Sequence, residues 1–418
     1  MSNEEHESDE SRQAPSAPRT DDAHPGWRVT LYTTWVAQVF AMVGFSFVMP
    51  FMPFYIRDLG VTDPKLVAIW AGLLGSGAGI TMAFAGPIWG WVADRYGRKM
   101  MVQRAMFGGA IILTLMGFAR NVHELFGLRV IQGAITGTVP ASVALVSGVV
   151  PKARLGFSLG LMQTAVFSGS AIGPYLGGIV ADHFGYRVPF GVTGALLLTG
   201  GILVLFGAKE RFVRPTGEGE GRPLRVREVL AIPGLLPLLS VFLLIHHINS
   251  LVMPIFPLYV EDIMGEPGAA ASETGLILAV TGITAAFSSI AVGRLSDQFG
   301  HKRMLIACTV LSGLTCFPQA AAQSVGQLLI LRAVFGLGAG GMFPAMNAMV
   351  AGIVPRRSLG QAYGLTTTFS AIGWATGPAL GGWVASQVGY RIPFVMVGAL
   401  LLALIAAQHY GIRERERE

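Results

Sequence analysis

Twelve long apolar runs constrain the fold of this chain more than any other feature. Each is close to or above the roughly 20 residues that an α-helix needs to cross the hydrocarbon core of a bilayer. The sequence therefore predicts an all-α integral membrane protein with twelve transmembrane helices. The runs cover residues 29–56, 65–92, 100–119, 122–149, 156–181, 187–208, 232–260, 273–294, 303–322, 325–353, 359–385 and 390–411.

The composition supports this interpretation. Of the 418 residues 52% are hydrophobic and only 13% are charged, which is too apolar for a water-soluble globule. The net charge is +6, and the basic residues lie in short loops between the runs. This distribution indicates the topology of the chain in the membrane and not a nucleic-acid partner. Cys308 and Cys316 are eight residues apart in one run, too far along a helix for an unstrained disulfide. We expect no metal and no cofactor.

The two halves of the chain repeat one another. The charged turn at residues 90–99, GWVADRYGRK, returns at residues 293–303 as GRLSDQFGHKR, with Asp94 and Asp297 separated by 203 residues. An even number of runs in each copy gives both copies the same orientation in the membrane. We therefore predict two pseudo-symmetric six-helix bundles. Further matches at offsets of 203 or 204 pair residues 50–55 with 254–259, Arg129 with Arg332, Pro151 with Pro355, 173–178 with 377–382, and 185–190 with 389–394.

Charge and apolar periodicity divide the chain and orient it. Residues 1–27 are polar and acidic and predict a disordered cytoplasmic tail without the basic start of a signal peptide. Placing the amino terminus inside puts 23 of the 30 Lys and Arg residues on the cytoplasmic side, so both termini are expected there. The predicted location is a cell membrane, the bacterial inner membrane. The predicted units are the tail 1–27, a bundle at 28–208, a cytoplasmic linker at 209–230, a bundle at 231–412 and a cytoplasmic tail at 413–418.

Across residues 28–412 the chain resembles the major facilitator superfamily. The turn at 90–99 has that family's pattern of a glycine, an aspartate four residues on, and then Arg, Gly, Arg and Lys. The resemblance implies a gate that breaks and re-forms during transport; the alternative is a charged turn that only obeys the positive-inside rule. The gating residues implied are Gly90, Asp94, Arg95, Gly97, Arg98 and Lys99, with Gly293, Asp297, Gly300, Lys302 and Arg303 in the second copy.

Arg129 lies inside the fourth run, where a charged side chain costs about 2.5–3.5 kcal/mol unless it faces a cavity or a partner. Its surroundings resemble the family's fourth-helix motif, which implies a role in proton coupling. The alternative is a side chain that extends to the outer surface and does a structural job shared with Arg332.

The fifth run carries a glycine motif. Glycines four residues apart lie on one helical face and permit close helix contact, while a proline removes a backbone donor. The motif resembles the one that marks antiporters in the family, which implies export. Because residues 373–382 repeat it, a purely structural hinge in both halves is the alternative. Its residues are Gly169, Gly173, Pro174, Gly177 and Gly178.

Proton coupling lacks an evident carboxylate in the middle of the membrane, because the acidic residues beyond the tail fall in loops or near the ends of runs. His246 and His247, near the middle of the seventh run, titrate near neutral pH and are further candidates. Glu124 precedes Arg129 by about one turn and is the last candidate. The alternatives are a histidine satisfied by a local hydrogen bond and an ion pair between Glu124 and Arg129.

The resemblance also implies which residues line a central cavity. In the family the first, fourth, seventh and tenth spans usually line it, and the fifth, eighth and eleventh supply its walls. Aromatic and amide side chains without dense charge would suit amphipathic or lipophilic compounds. Besides Arg129 and the two histidines, the candidates are Gln38, Phe45, Gln163, Phe167, Asn249, Phe343, Asn347, Tyr363, Phe369 and Trp374.

Together these features predict a secondary active transporter. We expect a monomer that exports hydrophobic or amphipathic drugs or metabolites by alternating access, in exchange for protons. The alternative is a uniporter or importer of a sugar, organic acid or other small nutrient, which the absence of a buried carboxylate favours. An enzyme is not expected, because the sequence has no phosphate-binding glycine loop, metal-spaced cluster or nucleophile elbow.

Overall fold

A computed structural model describes residues 26–151, 154–210, 226–265, 270–355 and 358–411, without the side chains of residues 87, 94, 155, 156, 226, 297, 359, 360 and 410. These ranges are almost entirely helical and contain no strand. The first half comprises α1 (Trp27–Phe47), a 3-10 helix (Met49–Phe51), α2 (Met52–Asp58), α3 (Pro64–Tyr96), α4 (Arg98–Met116), α5 (Val122–Ile135), α6 (Thr138–Val149), α7 (Leu155–Phe184) and α8 (Val188–Gly207). The short α9 (Val226–Leu230) precedes the second half, which comprises α10 (Leu235–Val252), α11 (Phe256–Met264), α12 (Ala270–Phe299), α13 (His301–Ala320), α14 (Val325–Ile353), α15 (Leu359–Val388) and α16 (Ile392–Gly411).

The membrane architecture predicted from the sequence is confirmed. Within the described ranges, nine helical segments are long and apolar enough to cross a bilayer. The other three predicted spans correspond to α4, α13 and α15, which are helices of 19, 20 and 30 residues. The nine segments are Trp27–Asp58, Pro64–Gly86, Val122–Val149, Phe157–Phe184, Val188–Gly207, Leu235–Met264, Ala270–Ser296, Val325–Ile353 and Ile392–His409.

Three of the predicted spans are interrupted within their length. The first span changes to a 3-10 helix at Met49–Phe51, and the seventh is interrupted between Val252 and Phe256. Both breaks lie in the repeated proline-rich segment, where proline rings remove backbone donors. The fourth span is broken between Ile135 and Thr138, where Gly137 has a φ of 128°, which side chains disfavour.

The short connections repeat between the halves as the sequence does. Gly97 and Gly300 join α3 to α4 and α12 to α13 with φ values of 100° and 91°, a turn that glycine favours. Asn121 caps α5 by accepting a hydrogen bond from the backbone N–H of Glu124 at 2.9 Å. Ser324 caps α14 in the same way. Equivalent sequence positions therefore begin equivalent helices.

The two halves meet at one end of the molecule, which we call the closed end. There α3 packs against α15 and α7 packs against α12, where α3 and α12 begin and α7 and α15 end. A Cβ on Gly72 would lie 2.5 Å from the carbonyl oxygen of Pro378, so the two backbones touch. At the opposite, open end, a Cβ on Gly90 or Gly293 would meet nothing within 4 Å. The halves are therefore packed together at one end and separated at the other.

Candidate functional site

A cavity of about 550 Å³ lies between the halves, next to the closed end. Its walls come from the first span, α3, the α5–α6 segment, the break after α10, and α15. The apolar lining includes five methionines, whose thioethers are flexible and polarisable, together with the rings of Phe45 and Trp374. Such a wall can repack around differently shaped apolar molecules. The lining methionines are Met42, Met49, Met52, Met82 and Met253.

Arg129 alone carries a formal charge among the described residues of the lining. Its Nη1 donates a 2.7 Å hydrogen bond to Oε1 of Gln132, one turn further from the start of α5. The guanidinium therefore points deeper into the molecule, away from the nearer surface that the alternative interpretation invoked, and a role of Arg129 in proton coupling stays a prediction. In the described part of the chain, its buried Nε has no hydrogen-bond acceptor.

Arg332, the equivalent residue of the second half, has different surroundings. It is 8% exposed, and its guanidinium carbon lies 4.2 Å from the ring centre of Phe256, 5.2 Å from that of Phe335 and 5.8 Å from that of Phe394. Aromatic faces attract a cation, and more strongly when water is excluded. Arg332 is thus enclosed in rings and contributes nothing to the described cavity lining.

Two changes in the sequence account for this difference. At the repeat offsets, Phe256 corresponds to Met52 and Phe335 corresponds to Gln132. Met52 and Gln132 both line the cavity beside Arg129. The first half therefore lacks two of the three rings that enclose the arginine in the second. Both differences can be found in the sequence alone, because they lie at the repeat offsets.

The break between α5 and α6 forms another part of the wall. Gly137 and Thr138 line the cavity, so α6 begins at the cavity surface. Outside the wall, Trp89 donates a 2.6 Å hydrogen bond to the carbonyl of Ala134, and the Arg104 guanidinium lies 3.7 Å from the Trp89 ring centre. Neither residue was predicted. The spacing of Gly137 and Pro140 is the sequence feature that indicates a helix start here, because proline is tolerated in a first turn.

The predicted gating motifs lie at the open end. Lys99 Nζ donates to the carbonyl of Leu205 at 2.8 Å, and Lys302 Nζ donates to that of His409 at 2.6 Å, so each motif holds the last helix of its half. Arg303 is exposed, and a Cβ on Gly90 or Gly293 would have open space. The side chains of Asp94 and Asp297 lie outside the described residues, so their latch role stays a prediction.

Glu210, which was not predicted as a site residue, binds the backbone of the first predicted gating motif. Glu210 accepts hydrogen bonds from the backbone N–H groups of Arg98 at 2.9 Å and Lys99 at 2.8 Å. It thereby caps the start of α4, where the helix dipole favours a negative charge. The Arg95 guanidinium carbon lies 5.6 Å from the ring centre of Trp91.

The glycine motif of α7 serves two contacts at once. A Cβ on Gly169, Gly173 or Gly177 would overlap α1, whereas Pro174 and Gly178 lie against α12. In α15, residues 373, 377 and 381 face α10 while 378 and 382 face α3. One face therefore holds a helix of the same half, and the other holds the opposite half at the closed end.

The two predicted histidines make different local hydrogen bonds. His246 Nδ1 donates to the carbonyl of Phe242 at 2.8 Å, and its ring centre lies 4.8 Å from that of Phe343. His247 Nδ1 lies 2.8 Å from Oγ1 of Thr376, which itself donates to a backbone carbonyl and so accepts from the histidine. In both rings Nε2 is then the nitrogen that can take a proton.

The other predicted residues are scattered. Glu124 accepts hydrogen bonds from the backbone N–H of Arg120 at 2.9 Å and from Asn121 at 3.1 Å at the start of α5, so its place is a helix cap. Gln38 is fully buried in α1. Only Phe45, Arg129 and Trp374 of the predicted set belong to the described lining of this cavity. The residues outside it are Gln38, Gln163, Phe167, His246, His247, Asn249, Phe343, Asn347, Tyr363 and Phe369.

An ion pair joins the two halves at the closed end. Nη1 of Arg57 lies 2.7 Å from Oε1 and 2.6 Å from Oε2 of Glu261, and the two residues occupy equivalent positions, 204 apart. Nearby, burial and then the charge of Asp182 raise the pKa of Tyr186, in the turn between α7 and α8, to about 12. This tyrosine is therefore neutral at physiological pH.

Two similar helical bundles around a cavity that is shut at one end and open at the other define a multi-pass membrane carrier. The Major Facilitator Superfamily model matches residues 34–270 and 248–418. The Multidrug resistance protein MdtG of Escherichia fergusonii is 34% identical over 403 residues, which is 96% of this chain and 98% of that protein. The MdtG protein of Salmonella typhimurium is 34% identical over 385 residues, 91% of this chain and 95% of its own length. The chain belongs to the Major Facilitator Superfamily.

Solved structures share the fold at low identity. A bacterial homolog to the human lysosomal transporter Spinster, in an inward-facing and unoccupied conformation, matches with a TM-score of 0.73 at 15% identity, covering 93% of this chain and 98% of that one. The human organic anion transporter MFSD10 matches with a TM-score of 0.70 at 16% identity, covering 92% of this chain and all of that one. At these identities the likeness concerns the fold.

Proposed function

We propose that this protein is a secondary active transporter that exports hydrophobic or amphipathic drugs by alternating access in a bacterial inner membrane. The observation that carries the proposal is the cavity of about 550 Å³ between the halves, lined by methionines, Phe45 and Trp374. A cavity of this size and lining suits drug-sized apolar molecules. The name of the relatives that match nearly the whole chain, multidrug resistance proteins, agrees with this substrate class.

We further propose that the closed end faces the outside of the cell and that both termini are cytoplasmic. The loops at the open end carry the excess of Lys and Arg, which cytoplasmic loops do in membrane proteins. In this orientation the cavity is reached from the cytoplasm. Transport then requires the closed end to separate while the open end, with its gating motifs, comes together.

Protons are the proposed coupling ion, and His247 is the favoured carrier among the candidates. Nε2 is left to bind a proton in both rings, and His247 is favoured because its ring bonds the Thr376 hydroxyl, whereas the His246 ring packs against Phe343. His247→Asn should therefore weaken the dependence of transport on the proton gradient while downhill efflux continues. His246→Asn is the matched control, since His246 is held against Phe343. Equal uncoupling by both variants would contradict the choice of His247.

The test of the function uses the neutral fluorescent probe N-phenyl-1-naphthylamine. De-energised cells of a host deficient in drug efflux are loaded with the probe, and its fluorescence is followed when glucose is added. Cells that express the protein should lose fluorescence faster than cells that do not, and a protonophore should abolish the difference. Net accumulation of the probe would favour the importer alternative. Export that ignores the protonophore would remove protons as the coupling ion.

A further inference from the structure

We infer that the cavity binds amphipathic organic anions, with the acidic group of the ligand on the Arg129 guanidinium and its apolar body against the methionine and aromatic wall. The inference rests on the proposed function and deepens it by naming a substrate class. The chemistry meant is a carboxylate, sulfonate or phosphonate joined to a hydrophobic body.

The positive charge of Arg129 is not balanced by an acidic residue in the described cavity lining. Arg129 is the charged residue of the described lining, and no described Asp or Glu lines the cavity beside it. Its guanidinium has five N–H donors, of which Nη1 bonds the neutral side chain of Gln132 and the buried Nε has no acceptor in the described chain. The Nε of Arg332 has no acceptor there either, but that guanidinium lies against aromatic rings and outside the described cavity lining, so only Arg129 faces a cavity. A buried charge is costly unless it is paired. A ligand acid would supply the missing charge and acceptors together.

The second argument is the comparison with Arg332. In the second half the rings of Phe256, Phe335 and Phe394 lie against the guanidinium, which is 8% exposed and does not belong to the described cavity lining. In the first half Met52 and Gln132 occupy the places of two of those rings. Arg332 is thus covered by aromatic rings, whereas the equivalent Arg129 faces a cavity.

The adjoining wall contains the break between α5 and α6. The twelve-residue helix α6 begins at Thr138, and Gly137 and Thr138 both line the cavity. The first N–H groups of a helix have no acceptor within the helix, and its dipole places partial positive charge there. Because α5 ends at Ile135 beside the same cavity, the partial negative charge of its last carbonyl groups offsets this helix start, and the net positive charge of the wall comes from Arg129.

The experiment compares two probes that share one aromatic body. The anion is 8-anilinonaphthalene-1-sulfonate, and N-phenyl-1-naphthylamine is the same molecule without the sulfonate. Both are titrated by fluorescence against the full-length protein in nanodiscs of zwitterionic lipid, with empty nanodiscs subtracted. Arg129→Gln should weaken binding of the sulfonate about tenfold or more, as expected for a charge-assisted pair, and change binding of the neutral probe less than about threefold.

Two further variants test other causes of weakened sulfonate binding. One blocks the access of the ligand to Arg129, and the other removes an arginine outside the cavity. Gln132→Phe keeps Arg129 but places a ring where Phe335 lies in the second half, so it should also weaken sulfonate binding selectively. Arg332→Gln removes the equivalent charge outside the cavity and should leave the ratio of the two affinities unchanged. The inference is overturned if Arg129→Gln weakens both probes equally, or if Arg332→Gln lowers sulfonate binding as much.

The remaining outcomes separate this inference from the proposed function and identify the source of the anion. Wild-type binding of the neutral probe with no preference for the sulfonate overturns the anion site and leaves drug transport standing, whereas binding of neither probe overturns both. Nanodiscs doped with phosphatidylglycerol test a lipid as the occupant. If this lipid weakens sulfonate binding in the wild type but not in Arg129→Gln, the natural anion includes lipid; otherwise it is soluble.

Discussion

The two halves of the molecule are alike in how their helices pack and unlike in how they treat one arginine. In both halves a glycine face of the fifth helical span holds the first, and a motif lysine holds the last helix. Arg332 is enclosed by three rings, whereas Arg129 bonds Gln132 and lines the cavity. The repeat therefore preserves the packing of the helices. The surroundings of the two arginines differ because the copies differ at a few positions.

The largest effect should come from the shared packing. Gly177→Ala and Gly381→Ala would each drive a Cβ into a backbone carbonyl, of Phe47 in one half and of Leu251 in the other. Overpacking of this kind costs roughly 1–3 kcal/mol or more. Both variants should lower the yield of folded protein and the midpoint of thermal unfolding in detergent to a similar extent. A large loss in one half alone would break the likeness between the halves.

Replacing Arg332 should lower stability, whereas replacing Arg129 should lower transport. Arg332→Ala removes the cation from its rings and leaves a void, which should cost about 2 kcal/mol of stability. Arg129→Ala should leave stability within about 1 kcal/mol but reduce transport of the anilinonaphthalene sulfonate about tenfold. Thermal unfolding and vesicle transport, measured on both variants, check the pair. Equal losses of stability would remove the distinction.

The glycines that face the opposite half should act on conformation. A Cβ on Gly178 would overlap the carbonyl of Ala271, and one on Gly382 would overlap that of Ala68. Because the halves can separate, Gly178→Ala should shift the equilibrium away from the closed end by about 1–2 kcal/mol and not unfold the protein. A cysteine at Ser272, which contacts Asp182 across the closed end, should then react faster with an impermeant thiol reagent. Gly177→Ala is the neighbouring control, because Gly177 faces α1.

The smallest effect should come from the ion pair. Arg57→Gln leaves Glu261 without this cation, which should weaken the closed end by about 1 kcal/mol because the pair is partly exposed. The same labelling assay at Ser272 should detect a modest increase in rate. The double exchange Arg57→Glu with Glu261→Arg should restore the wild-type rate. Failure of the double exchange to do so would show that the charges contribute little.

The sequence predicted the membrane architecture well because apolar length and the repeat are strong constraints. It did not predict the break at Gly137, since an apolar run does not reveal where a helix restarts. Arg129 and Arg332 occupy equivalent positions in the sequence, which is consistent with a shared structural role. Their difference depends on Met52 and Gln132, which are distant in sequence from one another and meet only in the folded chain.

The cavity residues were the least predictable part. Span numbers indicate which helices surround a cavity, but the rotation of each helix decides which side chains enter it. Gln38 and Phe45 lie on the same helix, yet Gln38 is buried against protein and Phe45 lines the cavity. The many lining methionines were missed because methionine is equally common in ordinary helix contacts.

The ion pair at the closed end also bears on how a protein of this shape can arise. At a two-fold axis a residue meets its own copy, so two identical halves would oppose arginine with arginine or glutamate with glutamate. Arg57 and Glu261 stand at equivalent positions and attract each other only because the copies differ. A dimer of two identical half-length chains could not form this contact. Opposite charges at this position require two halves of different sequence, which a single chain with two unlike repeats provides.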